Sequence, residues 1–295
     1  MKILSKICIG SANFGLKYGI INNKKIKNSE IKKCLKTLRC NHISYIDTAV
    51  GYGDAEKNLG SIGVQDFNII TKIPSITLNQ DELNQWLINK IKNSLELINI
   101  RSLYAVLMHR PSDLLSENGQ VLFNSLVQMK KSGLIKKIGV SIYSYTELKE
   151  IINNFNIDIV QAPYNIFDNN IEQTGWLDTL YEKNIEVHTR STFLQGILLH
   201  KTKKLPEYFE KWKNLFANID DYVNEKKISK LDLCLINSLY NKKISKVIIG
   251  IDSNDQLVTI INSVKKISNS KISIPSSLRC SDKYLINPSN WPSSQ

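Results

Sequence analysis

Ile43-Ser44-Tyr45-Ile46-Asp47-Thr48-Ala49-Val50-Gly51-Tyr52-Gly53, a helix-length segment at 54–61, and then Asn68-Ile69-Ile70-Thr71-Lys72 read as strand, helix and strand. The apolar runs are short and β-branched, and the segment between them is long enough for a helix, which is the pattern of a parallel β-α-β unit. The same alternation extends in both directions. Strand-like runs fall at 6–9, 43–46, 68–71, 104–108, 137–141, 157–161, 185–189 and 246–250, with helical candidates at 28–40, 54–61, 80–98, 118–132, 144–154, 170–183, 220–239 and 253–267. In Asp81-Glu82-Leu83-Asn84-Gln85-Trp86-Leu87-Ile88 the apolar residues recur at helical spacing, as on a helix covering a core. Eight such units in 295 residues predict an α/β chain closed into a (β/α)8 TIM barrel. An open doubly wound sheet would want a glycine fingerprint after its first strand, and Gly10-Ser11-Ala12-Asn13-Phe14-Gly15 does not supply one. With no linker or low-complexity tract, 1–295 reads as a single domain. Its longest irregular stretch is 197–220, and 274–295 is expected to form a C-terminal tail over the barrel.

Composition agrees with a globular chain: 42% hydrophobic and 22% charged residues. The net charge of +12 and pI near 9.3 admit nucleic acid, an anionic membrane surface or acidic ligands as partners. The lysines are scattered, however, with only small clusters at Asn23-Lys24-Lys25, Lys201-Thr202-Lys203-Lys204 and Lys226-Lys227. No arginine stripe or interleaved aromatic patch accompanies them. The excess therefore reads as a bias toward Lys, Asn and Ile, with an anionic cofactor or substrate as a lesser contribution. Cys8, Cys34, Cys40, Cys234 and Cys280 are odd in number and irregular in spacing, so neither a disulfide framework nor a zinc site is expected. No signal-like or membrane-spanning apolar run occurs, and a cytoplasmic setting is the expectation.

In such barrels the chemistry sits at the C-terminal ends of the strands. Asp47 and Tyr52 follow the second run, Lys72 the third, His109 the fourth, Ser141 closes the fifth and Gln161 the sixth. Each of the first four has a structural reading when taken singly. Asp47 could cap a helix, Tyr52 pack as a half-buried ring, Lys72 sit on a solvated rim, and His109 be a hydrogen-bonded core residue. Their convergence on consecutive strand ends makes the joint structural reading poor. A free phenol, with a pKa near 10, is a weak donor at neutral pH, and a neighbouring ammonium stabilises its phenolate. Asp47 would keep Lys72 charged, and His109 would orient a substrate oxygen. These groups suit protonation of a developing alkoxide, which implies hydride delivery from a cofactor. No Ser–His–acid set and no G-x-S-x-G point to hydrolysis.

Asp47-Thr48-Ala49, Tyr52-Gly53, Glu56 and Leu59-Gly60 together resemble the signature of the aldo-keto reductase superfamily. Further likenesses follow in order: Ile70-Thr71-Lys72, Leu107-Met108-His109-Arg110-Pro111, 133–141, Gln161-Ala162-Pro163-Tyr164-Asn165, 191–196 and Val247-Ile248-Ile249-Gly250. The resemblance implies a barrel that reduces carbonyl compounds with NADP or NAD and no metal, with Tyr52 as acid/base, Asp47 and Lys72 as its tuners and His109 as orienter. It also implies that Ser141 and Gln161 hold the nicotinamide carboxamide. Arg190 stands where an aromatic often stacks on the nicotinamide. Ser191, Phe193 and Gly196 would lie along the pyrophosphate, and Gly250, Ser253 and Gln256 at the adenosine phosphate end. The opening Gly10–Gly19 segment and 190–196 resemble a bacterial branch associated with surface polysaccharides and sugar modification, which suggests a carbohydrate-like carbonyl substrate. Lys17, Tyr18 and Trp291 are its candidate contacts, Trp291 having simple tail packing as its alternative.

Three departures from the pattern stand out. Ile142 replaces the usual Asn after Ser141, Ile260 stands where Asn is frequent, and the loop after the eighth strand offers Asp252 instead of a basic residue. A carboxylate there would repel a 2′-phosphate and accept from a 2′-hydroxyl, which admits NADH against the NADPH that the resemblance implies; its alternative duty is to cap the next helix. The leading expectation is an NAD(P)H-dependent aldehyde or ketone reductase acting on a small-molecule carbonyl, as a monomer or small homo-oligomer, with no nucleic-acid or membrane partner. The competing readings are a redox-neutral sugar epimerase or isomerase with tightly held NAD(P), and a non-catalytic nicotinamide-binding regulatory subunit. Nucleic-acid binding through the basic charge is a fourth.

Overall fold

β1 (Ile7–Gly10) begins a barrel of parallel strands in a computed structural model that describes residues 3–76, 80–268 and 270–292. β2 (Tyr45–Asp47), β3 (Asn68–Ile73), β4 (Leu103–Met108), β5 (Ile135–Ser141), β6 (Ile159–Pro163), β7 (Glu186–Arg190) and β8 (Lys246–Gly250) follow in chain order around it. The ring closes where β8 pairs with β1, Gly250 lying beside Gly10. Strands buried on both faces need no polar alternation, which is why they read as short continuous apolar runs. Cys8, Ile70, Ala105, Leu107, Ile159 and Ile248 pack together as one cluster, and a larger apolar layer joins strands to helices.

The helices cover the barrel through single apolar stripes. Helix Asn28–Cys40 buries Ile31, Cys34, Leu35 and Leu38, and helix Gln80–Ile98 buries Leu83, Leu87, Ile91, Leu95 and Ile98. Two expected helices are interrupted. The 170–183 segment breaks at Gly175, whose φ of 76° is left-handed, and the part after it is helix Trp176–Glu182. The 220–239 segment is the end of helix Lys213–Lys226 followed by helix Lys230–Leu239. Lys227 turns left-handed (φ 54°), and Ser229 and Asp232 cap the second helix reciprocally. The 197–220 stretch is not wholly irregular but holds short 3₁₀ turns, including Thr202–Lys204 and Glu207–Trp212.

The described part of the tail packs onto the barrel. Arg279 donates to the carbonyls of Asn165 and Ile166, Leu278, Leu285 and Ile286 are buried, and Trp291 meets Phe209 edge-on at 4.9 Å. Residues 293–295 of the expected tail lie outside the described residues. All five cysteines are free thiols. Among the described residues no helix is long and apolar enough to cross a membrane.

Candidate active site

Asp47 ends β2, and the chain beyond it stays zipped to β3: Thr48 N donates to Ile70 O and Val50 N to Lys72 O. The next turn brings Tyr52 back over the barrel mouth. Two glycines permit it. A Cβ on Gly15 would lie 1.8 Å from the Tyr52 carbonyl oxygen, and Gly53 has a φ of +57°. The β1 and β2 loops therefore interlock with no side chain between them, which fixes the height of Tyr52.

Lys72 points from β3 into the barrel and is fully buried, not a rim residue. Its Nζ donates to Asp47 Oδ1 at 2.5 Å and to the Thr48 carbonyl at 2.8 Å, and lies 3.5 Å from the Tyr52 hydroxyl. Burial alone would lower the Lys72 pKa, but the charges of Asp47 and Tyr52 outweigh it and raise the pKa above its ordinary value. Asp47 caps no helix; its second oxygen accepts from Gln161 Nε2 at 2.8 Å. Gln161 in turn accepts from Ser141 Oγ at 3.4 Å. Tyr52 is half-buried, its ring 6.2 Å from that of His109 and nearly perpendicular. His109 is exposed at the mouth and is not a core histidine. The cavity walls desolvate its ring, and with the Lys72 and Arg190 cations they push its pKa down to about 4, so it is neutral at pH 7.

These four side chains line a cavity of about 600 Å³. Ser141, Gln161 and Arg190 line it too, as do Ser191, Phe193 and Gly196, and Gly250, Asp252 and Gln256. The loop after β7 turns left-handed at Ser191, Leu194, Gln195 and Gly196, with φ from 47° to 91°. Such backbone is strained for side-chain-bearing residues. Gly250 has open space where a Cβ would stand, so backbone is bare at the cavity wall there. A cavity that joins these polar side chains to a left-handed loop and a bare glycine has the lining to take a dinucleotide.

Asp252 does not cap the following helix; Ser253 does, its Oγ accepting from Gln256 N at 3.2 Å. Asp252 is held from the other side of the barrel seam. Asn22 Nδ2 donates to its Oδ2 at 2.9 Å and Asn13 Nδ2 to its Oδ1 at 3.2 Å, while Asn13 Nδ2 also donates to the Ile251 carbonyl. Arg190 donates to the Ile142 carbonyl and stacks on Tyr143, 3.9 Å from its centroid.

Tyr18 lines the cavity; Lys17, Ser253 and Trp291 do not, although Pro288 and Ser289, just before Trp291, do. Sequence reading missed Asn13, Asn22, Tyr143 and His200, all of which line the cavity. Asn13 lay inside a quoted motif; nothing local marked Asn22, because its partner is 230 residues away.

The aldo/keto reductase family model matches residues 6–277. Among solved structures, the holo form of an aldo-keto reductase from Bacillus halodurans superposes with a TM-score of 0.71 at 18% identity, over 88% of this chain and 86% of that one. A Pseudomonas aeruginosa structure described as an aldo-keto reductase gives a TM-score of 0.64 at 16% identity, over 90% of this chain and 91% of that one. At these identities the likeness is one of fold. No curated protein sequence matches.

Proposed function

The chain belongs to the aldo/keto reductase family, and from that premise we propose that it reduces an aldehyde or ketone with NADH or NADPH, Tyr52 supplying the proton. The observation that carries this reading is the Tyr52 hydroxyl 3.5 Å from a buried Lys72 that is itself locked onto Asp47, at the edge of a cavity. When bound, the nicotinamide supplies a hydride to the carbonyl carbon. As negative charge grows on the carbonyl oxygen, Tyr52 donates its O–H proton to it, and the phenolate left behind faces the Lys72 ammonium. Asp47 keeps that ammonium charged, and Gln161 keeps Asp47 in place. His109, neutral at pH 7, donates a hydrogen bond to the same oxygen and orients the carbonyl without competing as the acid.

In this reading Ser141, Gln161 and Arg190 flank the nicotinamide, Ser191, Phe193 and Gly196 follow the pyrophosphate, and Gly250, Asp252 and Gln256 surround the adenosine, with Ser253 behind them capping the next helix. Asp252, fixed by two amides, supports NADH over NADPH, because its charge repels a 2′-phosphate and its oxygens accept from a 2′-hydroxyl. The hydroxyls of Tyr18, Tyr143 and Ser289 along the cavity suit a hydroxylated, sugar-like carbonyl substrate.

Tyr52→Phe tests the chemistry. It is expected to lower kcat by about 10²-fold or more while NADH, followed by fluorescence titration, still binds. Wild-type turnover in this variant would remove Tyr52 as the proton donor. Asp252→Arg is expected to shift the NADPH-to-NADH affinity ratio about tenfold toward NADPH, and an unchanged ratio would mean that Asp252 does not face the ribose 2′ position.

A further inference from the structure

Two cationic side chains other than histidine line the cavity, and only one is answered. Lys72 is paired with Asp47, whereas Arg190 has no carboxylate within ion-pair distance among the described residues. Asp168 shares its field but lies beyond pairing range and outside the cavity wall. Asp252, the other cavity carboxylate, is engaged with Asn13 and Asn22.

Arg190 is nevertheless held firmly. Nη2 donates to the Ile142 carbonyl at 2.9 Å, and one face of the guanidinium lies on the Tyr143 ring at 3.9 Å. Its Nε and Nη1 meet no protein acceptor among the described residues. Both contacts draw the group toward the loop after β5. His109 and Tyr18 line the same cavity, and both feel its charge. The Tyr18 hydroxyl makes no hydrogen bond among the described residues.

We infer that the carbonyl substrate carries an anionic group, a carboxylate or a phosphate ester, which docks on the free N–H groups of Arg190 with the Tyr18 hydroxyl as a second donor. This rests on the reductase reading above. A guanidinium fixed by stacking loses little freedom on binding, and it donates to carboxylate and phosphate oxygens alike. An anion there also neutralises the one cavity cation that the protein leaves open.

The test compares matched substrates on the full chain: 4-carboxybenzaldehyde with its methyl ester, and glyceraldehyde 3-phosphate with glyceraldehyde. The wild type is expected to favour at least one charged member over its neutral match by about tenfold or more in kcat/KM. Arg190→Met should lose about tenfold more on that charged member than on the neutral one, and Arg190→Lys should restore part of the difference. NADH affinity, read by fluorescence in the same variants, separates the two sources of anion. A wild type without charge preference overturns the inference. So does an Arg190→Met variant whose losses are equal on both members and mirrored in NADH affinity, since Arg190 would then serve the cofactor phosphates. If neither pair is reduced, the reductase reading fails instead. Calorimetric binding of 4-carboxybenzyl alcohol against benzyl alcohol then decides the inference, equal binding overturning it.

Discussion

The barrel contains two sets of the same four kinds of group, a phenol, an ammonium, a carboxylate and an imidazole, one at each end. At the C-terminal end of the strands stand Tyr52, Lys72, Asp47 and His109. At the N-terminal end Tyr104, Lys137, Glu186 and His188 gather around a single carboxylate. The Tyr104 hydroxyl lies 2.9 and 3.0 Å from the two Glu186 oxygens, Lys137 Nζ 2.5 Å from one, and His188 Nε2 3.0 Å from the other. Even the lysine-over-ring geometry repeats, at 5.0 Å for Lys72 on Tyr52 and 5.2 Å for Lys137 on Tyr104. The outcome is opposite. Burial and the Glu186 charge raise the Tyr104 pKa far above the ordinary phenol value, so its proton is locked. Tyr52 has an ammonium beside its oxygen and open cavity in front of it. On the proposed reading, what would make Tyr52 and not Tyr104 the proton donor is the sign of its nearest charge and its access to a substrate, not membership of a residue set.

The sharpest way to break this contrast is to remove each lysine. Lys72→Met is expected to lower kcat by about 10²-fold or more and to leave Asp47 buried without its partner. Lys137→Met should cost about 1–3 kcal/mol of stability, read by chemical denaturation, with kcat close to wild type. Comparable kcat losses in the two would mean that both ends serve the reaction. Tyr104→Phe is a milder probe. It removes one of three partners of Glu186 and should cost about 1 kcal/mol, again with turnover retained.

The smallest effect concerns acid. Burial alone would raise the Glu186 pKa, but its hydrogen bonds with His188 and Lys137 hold it down at about 2. A depressed carboxylate contributes stability above its unfolded pKa, and loses it as pH falls through about 4 toward about 2. Glu186→Gln should therefore be less stable than wild type at pH 7 and lose less on going to pH 3. Equal losses in the two proteins would show that Glu186 does not titrate in that window.

The upper set was legible because strand ends are locally encoded. An apolar β-branched run fixes strand and direction, and the polar residue that ends it falls at the barrel mouth wherever the other strands lie. Asp47, Lys72 and His109 were found in this way. The lower set was not found, although all four of its members are present in the same runs. Glu186 and Tyr104 meet across 82 residues of chain, and no spacing announces them. The helix break at Lys227 was missed for a different reason. The Ser229–Asp232 capping box lies inside an apolar pattern that reads as continuous across it.

The alternation of short apolar runs with amphipathic segments was enough to specify eight parallel strands and the end at which Asp47, Lys72 and His109 meet, because burial and periodicity act over a few residues. The pairing of Asp47 with Gln161, the hold of Asn13 and Asn22 on Asp252, and the lone charge of Arg190 came only with the closed ring. Closure brings β1 against β8 and the loops of distant strands over one cavity. Which carboxylate meets which cation is settled there by geometry and desolvation acting between residues far apart in the chain.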